Sequence, residues 1–188
     1  MIGSCAEEWM GVARFVIPIE RIQSVDCADI AVLPYDSAND AAALGELVCR
    51  CAADSRGVSG PATTKIAAEL ACRPGRHVWA WVARPVSGAA PSAVVGMVSL
   101  VSVEAVDGVR CSIGWLFVDP RFRRRGVGQA LVATAMRQAQ RRGAAEMHVE
   151  TLTSWPAAVR FWEAVRLAAG GTVAKLPLSG ESRKTAEG

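Results

Sequence analysis

Val118-Asp119-Pro120-Arg121-Phe122-Arg123-Arg124-Arg125-Gly126-Val127-Gly128-Gln129-Ala130-Leu131 is the run that decides the fold. The apolar residues leading into it read as the end of a strand, and two glycines make the turn. Val127, Leu131, Ala135 and Ala139 then recur at helical spacing, with Gly143 as the C-terminal cap. Glycine accepts positive φ and lets a ligand approach the backbone closely. The first N–H groups of a helix have no partner within it and face out of its positive end, so they form an anion site. Arg123, Arg124 and Arg125 add charge at the rim. A phosphate or pyrophosphate suits these features better than the plain alternative, a tight turn with solvated arginines.

Charge is concentrated in the same place. Between Arg121 and Arg142 lie seven arginines and no acid, while the whole chain of 188 residues carries +3, which leaves −4 for the remainder. One segment is therefore suited to meeting an anion, be it phosphate, nucleic acid or an acidic partner. For Arg137, Arg141 and Arg142 a solvated helix face is the simpler reading. Nucleic-acid binding needs a broad basic face with stacking aromatics. The small net charge, and tryptophans set in core-forming patterns, argue against it.

Hydrophobic residues make up 51% of the chain and charged residues 21%, which suits one domain with a sizeable core. No run of 18 apolar residues occurs, so no membrane-spanning helix is expected. Glu7 and Glu8 stand where a signal peptide would be basic, and a cytoplasmic location is expected. The six cysteines lack metal-site spacing and only His77 and His148 are available to assist them, so buried thiols and no metal are expected.

Working outward, residues 1–28 form an N-terminal extension in which Phe15, Ile17 and Ile19 alternate; it either adds a strand or lies on the surface. Ile30–Leu33 reads as a strand. Ser37 with Asp40 reads as a capping pair for a helix through Leu44, Leu47, Val48 and Cys51. Gly60-Pro61 opens a second helix, stopped by Pro74-Gly75. Strands follow at Val78–Ala83, Val94–Val103 and Val109–Val118, the last two joined at Asp107-Gly108 as a hairpin. After the helix from Val127 to Arg142, Met147–Glu150 reads as a strand parallel to its predecessor. A helix from Ser154-Pro156 to Gly170-Gly171 and a strand at Thr172–Leu178 complete a domain over 29–178, and 179–188 form a polar tail. The expected class is α/β (α+β), a mixed, mostly antiparallel sheet flanked by helices.

Three phosphate-binding classes compete. A P-loop fails because no Lys and Ser/Thr follow the glycines. A dinucleotide fingerprint fails because Leu131 replaces the third glycine and only 38 residues follow Glu150. The third class fits. Arg123-Arg124-Arg125-Gly126-Val127-Gly128 resembles the (Gln/Arg)-x-x-Gly-x-(Gly/Ala) signature of the Gcn5-related N-acetyltransferase (GNAT) family. Trp115-Leu116-Phe117-Val118 before it, Val149-Glu150-Thr151 after it, and Ala158-Val159-Arg160-Phe161-Trp162-Glu163 are similar to neighbouring family segments. The element order also agrees.

The resemblance implies a GNAT-like fold and acetyl-CoA as co-substrate, with an amine as acceptor. It places the pyrophosphate on the backbone of Arg123, Arg124, Arg125, Gly126, Val127, Gly128 and Gln129. The pantetheine arm falls along Leu116, Phe117 and Val118, and Gly114 would permit a bulge or a close approach in that strand, or serve packing alone. Glu150 matches the glutamate that some members use as general base; an exposed strand-end carboxylate is the alternative, and Glu104 is a weaker candidate. The chain departs from the family at Trp162, where a tyrosine acid is common, since indole donates only N–H and does not titrate usefully. Trp162 is then expected beside the acyl group. Two functions follow: N-acetyl transfer to a primary amine by direct attack, or a non-catalytic acyl-CoA-binding module. No membrane partner is expected, and a homodimer is left open.

Overall fold

The computed structural model of the chain describes residues 11–21, 27–54, 63–71, 74–87 and 93–177. Seven strands form one sheet: β1 (Gly11–Pro18), β2 (Ile30–Pro34), β3 (Arg76–Pro85), β4 (Gly96–Ala105), β5 (Gly108–Val118), β6 (Glu146–Leu152) and β7 (Thr172–Pro177). Among the described residues four α-helices accompany them: α1 (Ser37–Asp54), α2 (Thr63–Leu70), α3 (Val127–Arg141) and α4 (Pro156–Ala169). The order across the sheet is β2-β3-β4-β5-β6-β1-β7. Among the described residues only β5 and β6 run parallel, because α3 carries the chain back between them. The mixed, mostly antiparallel class expected from sequence is the one observed. Among the described residues no helix is long and apolar enough to cross a membrane.

The N-terminal segment takes the strand option. Residues 11–18, set apart above as part of an extension, lie inside the sheet, antiparallel to β6 on one side and β7 on the other. Alternation explains this: Ala13, Phe15 and Ile17 are fully buried against the helices, while Arg14 faces the opposite side. The core on the α3/α4 face joins these three to Val98, Leu100, Leu131, Met136, Met147, Val149 and Trp162. A smaller cluster under α1 and α2 holds Leu44, Leu47, Ile66, Val82, Met97 and Phe117.

Two local expectations change. The cap of α1 is Asp36, one residue before the expected Ser37: its Oδ1 accepts the Ala38 N–H at 2.9 Å, and Asp40 Oδ2 reaches back to the Asp36 N–H at 2.9 Å. Asp40 is buried and ion-paired to Arg84 on β3. The hairpin turn sits at Val106-Asp107, with Ala105 opposite Gly108 and Gly108 at φ 125°. The expected Gly60-Pro61 helix start and the tail at 179–188 lie outside the described residues.

Candidate functional site

The site begins where the sheet comes apart. β5 and β6 pair only at Cys111–Met147 and Ser112–His148. Beyond Ser112, β5 keeps β4 on one side and, among the described residues, has no strand on the other, so the two strands part towards their C-terminal ends. A bulge accompanies the parting. Val98 faces Leu116 and Leu100 faces Ile113, which leaves Gly114 and Trp115 opposite Ser99 alone. The Trp115 N–H donates to Ser99 Oγ at 2.9 Å, and a Cβ on Gly114 would stand 2.7 Å from that oxygen. The bulge expected at Gly114 is therefore present.

At the end of β5 the chain turns through a 3₁₀ segment, Pro120–Phe122, capped by Asp119, and enters α3. Arg124 has φ 62° and Gly126 φ 82°, two left-handed positions in the four-residue turn 123–126. Successive N–H groups in a turn of this kind can face a common point and form an anion-binding concavity. The Ala130 N–H bonds Gly126 O at 2.9 Å as the first helical hydrogen bond, and no side chain caps the helix. The Val127, Gly128 and Gln129 N–H groups consequently have no helical acceptor. Gly128 has a further role: a Cβ there would lie 3.1 Å from Phe161 of α4, so the bare backbone also seats that ring.

The arginines are not equivalent. Arg123 is half-buried, donating Nε to Val118 O at 3.2 Å and pairing with Asp54 of α1. Arg125 lies over the Phe122 ring at 5.5 Å. Arg124 and Arg125 are exposed, so the charge expected at the rim comes from these two rather than from three. The Cys27 thiol donates to Arg125 O at 3.0 Å, a further support for the turn.

Asp119 underlies the turn. It is fully buried and accepts from the Arg121 N–H at 3.0 Å, Arg121 Nε and Nη2 at 3.1 and 3.0 Å, and Arg50 Nε at 2.7 Å. The Arg121 side chain foremost, with the Arg121 N–H and Arg50 behind it, outweighs burial and holds the Asp119 carboxyl down at about 2. Burial pushes the Cys51 thiol up, and it donates to Val118 O at 3.5 Å. The sequence marked Asp119 only as a member of the Val118–Leu131 run, with no role, and did not mark Arg50 at all. The signal available was an acid directly before Pro120, the pattern of a turn cap.

On β6, Met147 and Val149 point into the core while Glu150 projects from the opposite face, two residues past the last β5 pairing. Its Oε1 accepts from Arg14 Nε at 2.8 Å, with Nη2 at 2.7 Å. Glu104 is at the hairpin end of β4, opposite Val109, and pairs with Arg142 at 3.5 Å, which places it at the end of β5 away from the turn. Trp162 is only 4% exposed, in the main core, with its ring edge-on to Phe161 at 5.0 Å. Leu116 and Val118 pack on the α3 side of β5, and Phe117 on the α1 side.

Residues 47–166 match the sequence profile of the acetyltransferase (GNAT) family. The chain belongs to that family. The fold of this GNAT chain is similar to that of a tandem GNAT protein from the clavulanic acid biosynthesis pathway, with a TM-score of 0.64 at 15% identity over 90% of this chain and 54% of that one. It is also similar to a chain of the NatC complex bound to Gag peptide and CoA, with a TM-score of 0.57 at 21% identity over 80% and 99%. A third likeness is to a ribosomal-protein-alanine N-acetyltransferase from Brucella melitensis biovar Abortus 2308, with a TM-score of 0.55 at 14% identity over 72% and 89%. The chain spans about half the length of the tandem protein. It spans 16%, 59% and 39% of three other similar chains. No curated protein matches it by sequence.

Proposed function

We propose that this GNAT protein moves an acetyl group from acetyl-CoA to a primary amine by direct attack. The observation that carries the reading is the parting of β5 and β6 beyond Ser112 and His148, at the sheet end where the unsatisfied N–H groups of α3 emerge. These features fit the coenzyme. Backbone N–H groups from Arg124 to Gln129 suit a pyrophosphate, and the unpaired edge of β5 at Leu116 and Phe117 suits the amides of a pantetheine arm. Val118 O already accepts from Cys51 and Arg123, so the polar contacts to that arm fall to the residues before it. We also take the acyltransferase unit to include β1, and so to begin before residue 29.

When bound, acetyl-CoA supplies an electrophilic thioester carbonyl and a thiolate leaving group. The chain contributes binding, orientation and a proton acceptor. Glu150 is the carboxylate we assign to take the amine proton, since it faces away from the core at the open end of β6. A thiol with a pKa of about 8.5 departs without strong assistance, which suits a site whose tyrosine position holds a buried indole. An α-amine with a pKa near 8 is roughly a tenth neutral at pH 7, whereas a lysine amine near 10.4 is far below one per cent. A solvent-exposed carboxylate as proton acceptor therefore favours an α-amine or a small-molecule amine.

A second reading, an acyl-CoA-binding module without turnover, draws support from Arg14, which already occupies Glu150 Oε1. CoA release from acetyl-CoA in the presence of α-amine peptides, lysine peptides and small amines separates the two. Turnover on α-amines supports the enzyme. The absence of CoA release with every amine in the panel would leave the binding module.

A further inference from the structure

We propose that Arg50, on α1, is a positioning residue for the coenzyme: through the buried Asp119 carboxylate it holds the turn at 118–128 in the shape that presents its N–H groups. The inference rests on reading that turn as the acyl-CoA site. A carboxylate at the root of an anion-binding turn opposes an incoming pyrophosphate, so its presence calls for a balancing charge. Asp119 has a side chain only 1% exposed, and its two guanidinium partners differ in kind. Arg121 is 70% exposed and belongs to the turn itself. Arg50 is 31% exposed and comes from another element.

Arg50 ties three segments together. Its Nε donates to Asp119 Oδ2 at 2.7 Å, its Nη2 to Val94 O at 3.1 Å, and its Nη1 lies 3.5 Å from Glu46 Oε2 one helical turn earlier. The next residue, Val95, accepts the Asp119 N–H at 2.9 Å, so the segment before β4 holds both the turn and its arginine. Cys51 on Val118 O and Asp54 on Arg123 add two more ties from the last turns of α1. The fork of a guanidinium serves two acceptors in fixed directions, which an ammonium on a flexible stem does not reproduce. Without Arg50, Asp119 keeps one solvent-exposed partner. The turn then loses its anchor to α1, and an under-compensated buried anion lies below the phosphate position.

Calorimetric titration of CoA into the full chain tests this, using wild type, Arg50→Ala, Arg50→Lys and the pair Arg50→Ala with Asp119→Asn. Arg110→Ala, at a surface pair with Asp107 on the hairpin, is the control. The unfolding temperature of each is measured without ligand. Arg50→Ala weakens CoA binding about tenfold, within the usual range for coupling between neighbouring elements. Arg50→Lys weakens it about threefold by the same coupling. The double variant regains most of the affinity, because the uncharged amide no longer opposes the ligand, and the control is unchanged. A purely structural arginine would lower the unfolding temperature and leave the CoA dissociation constant of the folded protein where it was; that result overturns the proposal. Should Arg50→Ala fail to fold, the lysine variant decides, and wild-type affinity in it overturns the proposal. Wild type that does not bind CoA at millimolar ligand overturns the site reading as well, whereas intact wild-type binding with unaffected Arg50 variants overturns this inference alone.

Discussion

Arg14 of β1 and Glu150 of β6 stand directly opposite each other in the antiparallel register, and both Nε and Nη2 of the arginine rest on a single carboxylate oxygen, Oε1. Both side chains are about half exposed, so the pair is worth no more than about 1 kcal/mol. A cationic acceptor can therefore displace the arginine at little cost. Glu150→Gln is expected to lower kcat/KM on an α-amine peptide by roughly a hundredfold, the lower end of what a positioned base contributes. Steady-state CoA release measures it. Unchanged turnover would remove Glu150 from the reaction.

Asp119 gives the chain an acid-sensitive anchor. Its carboxyl is lowered from 3.8 to about 2 in the folded state, so the ionised form is the one the fold favours. The associated stabilisation is fully present above the unfolded value and is lost as pH falls from about 3.8 through about 2. It amounts to about 2 kcal/mol. Urea unfolding of wild type should show this loss over that acid interval. In Asp119→Asn the corresponding step should be missing, on a baseline already lower at neutral pH.

β1 is internal to the sheet, and its removal would strip both β6 and β7 of a partner. Phe15→Ala, at a fully buried position opposite Val149 and Val173, is expected to cost about 3 to 4 kcal/mol. At this chain length that corresponds to a fall in Tm of roughly 10 °C. A fall of only a degree or two, read by circular dichroism, would mean that the N-terminal strand is dispensable.

The strands and helices of residues 29–177 were legible because their residues alternate or recur with clear periods, and because Gly143, Gly170 and Pro156 mark their ends. The turn at Arg123–Gly128 was legible because glycine spacing reports backbone need directly. β1 was not decided, since alternation shows that Phe15 and Ile17 share a face but not that a gap lies open between β6 and β7. Arg50 and Arg14 were equally hidden. Each is one arginine among many, and its role depends on Asp119 or Glu150, which lie 69 and 136 residues away in sequence. Asp36 displaced Ser37 as the cap because either residue can fill that position, and only the backbone direction chooses between them.

Gly126 and Gly128 separate backbone need from packing need. Gly126→Val places a β-branched residue at φ 82°, a strain of about 1 to 2 kcal/mol, and turns the following N–H groups away from their common point. Gly128→Ala instead presses on Phe161. Gly126→Val should lose CoA binding outright, and Gly128→Ala should weaken it while lowering Tm, both read by calorimetry and thermal melts. Equal effects of the two on Tm alone would mean that neither glycine serves a ligand.

Thermal unfolding of the full chain, titrated separately with acetyl-CoA, CoA, ATP and NADH, tests the acyl-CoA site most directly. Acetyl-CoA and CoA should each raise Tm, with about 2.7 kcal/mol of stabilisation at a hundred times the dissociation constant, and NADH should not. A melt that stays fixed with millimolar CoA, or one that responds to ATP and NADH as strongly as to CoA, would contradict it.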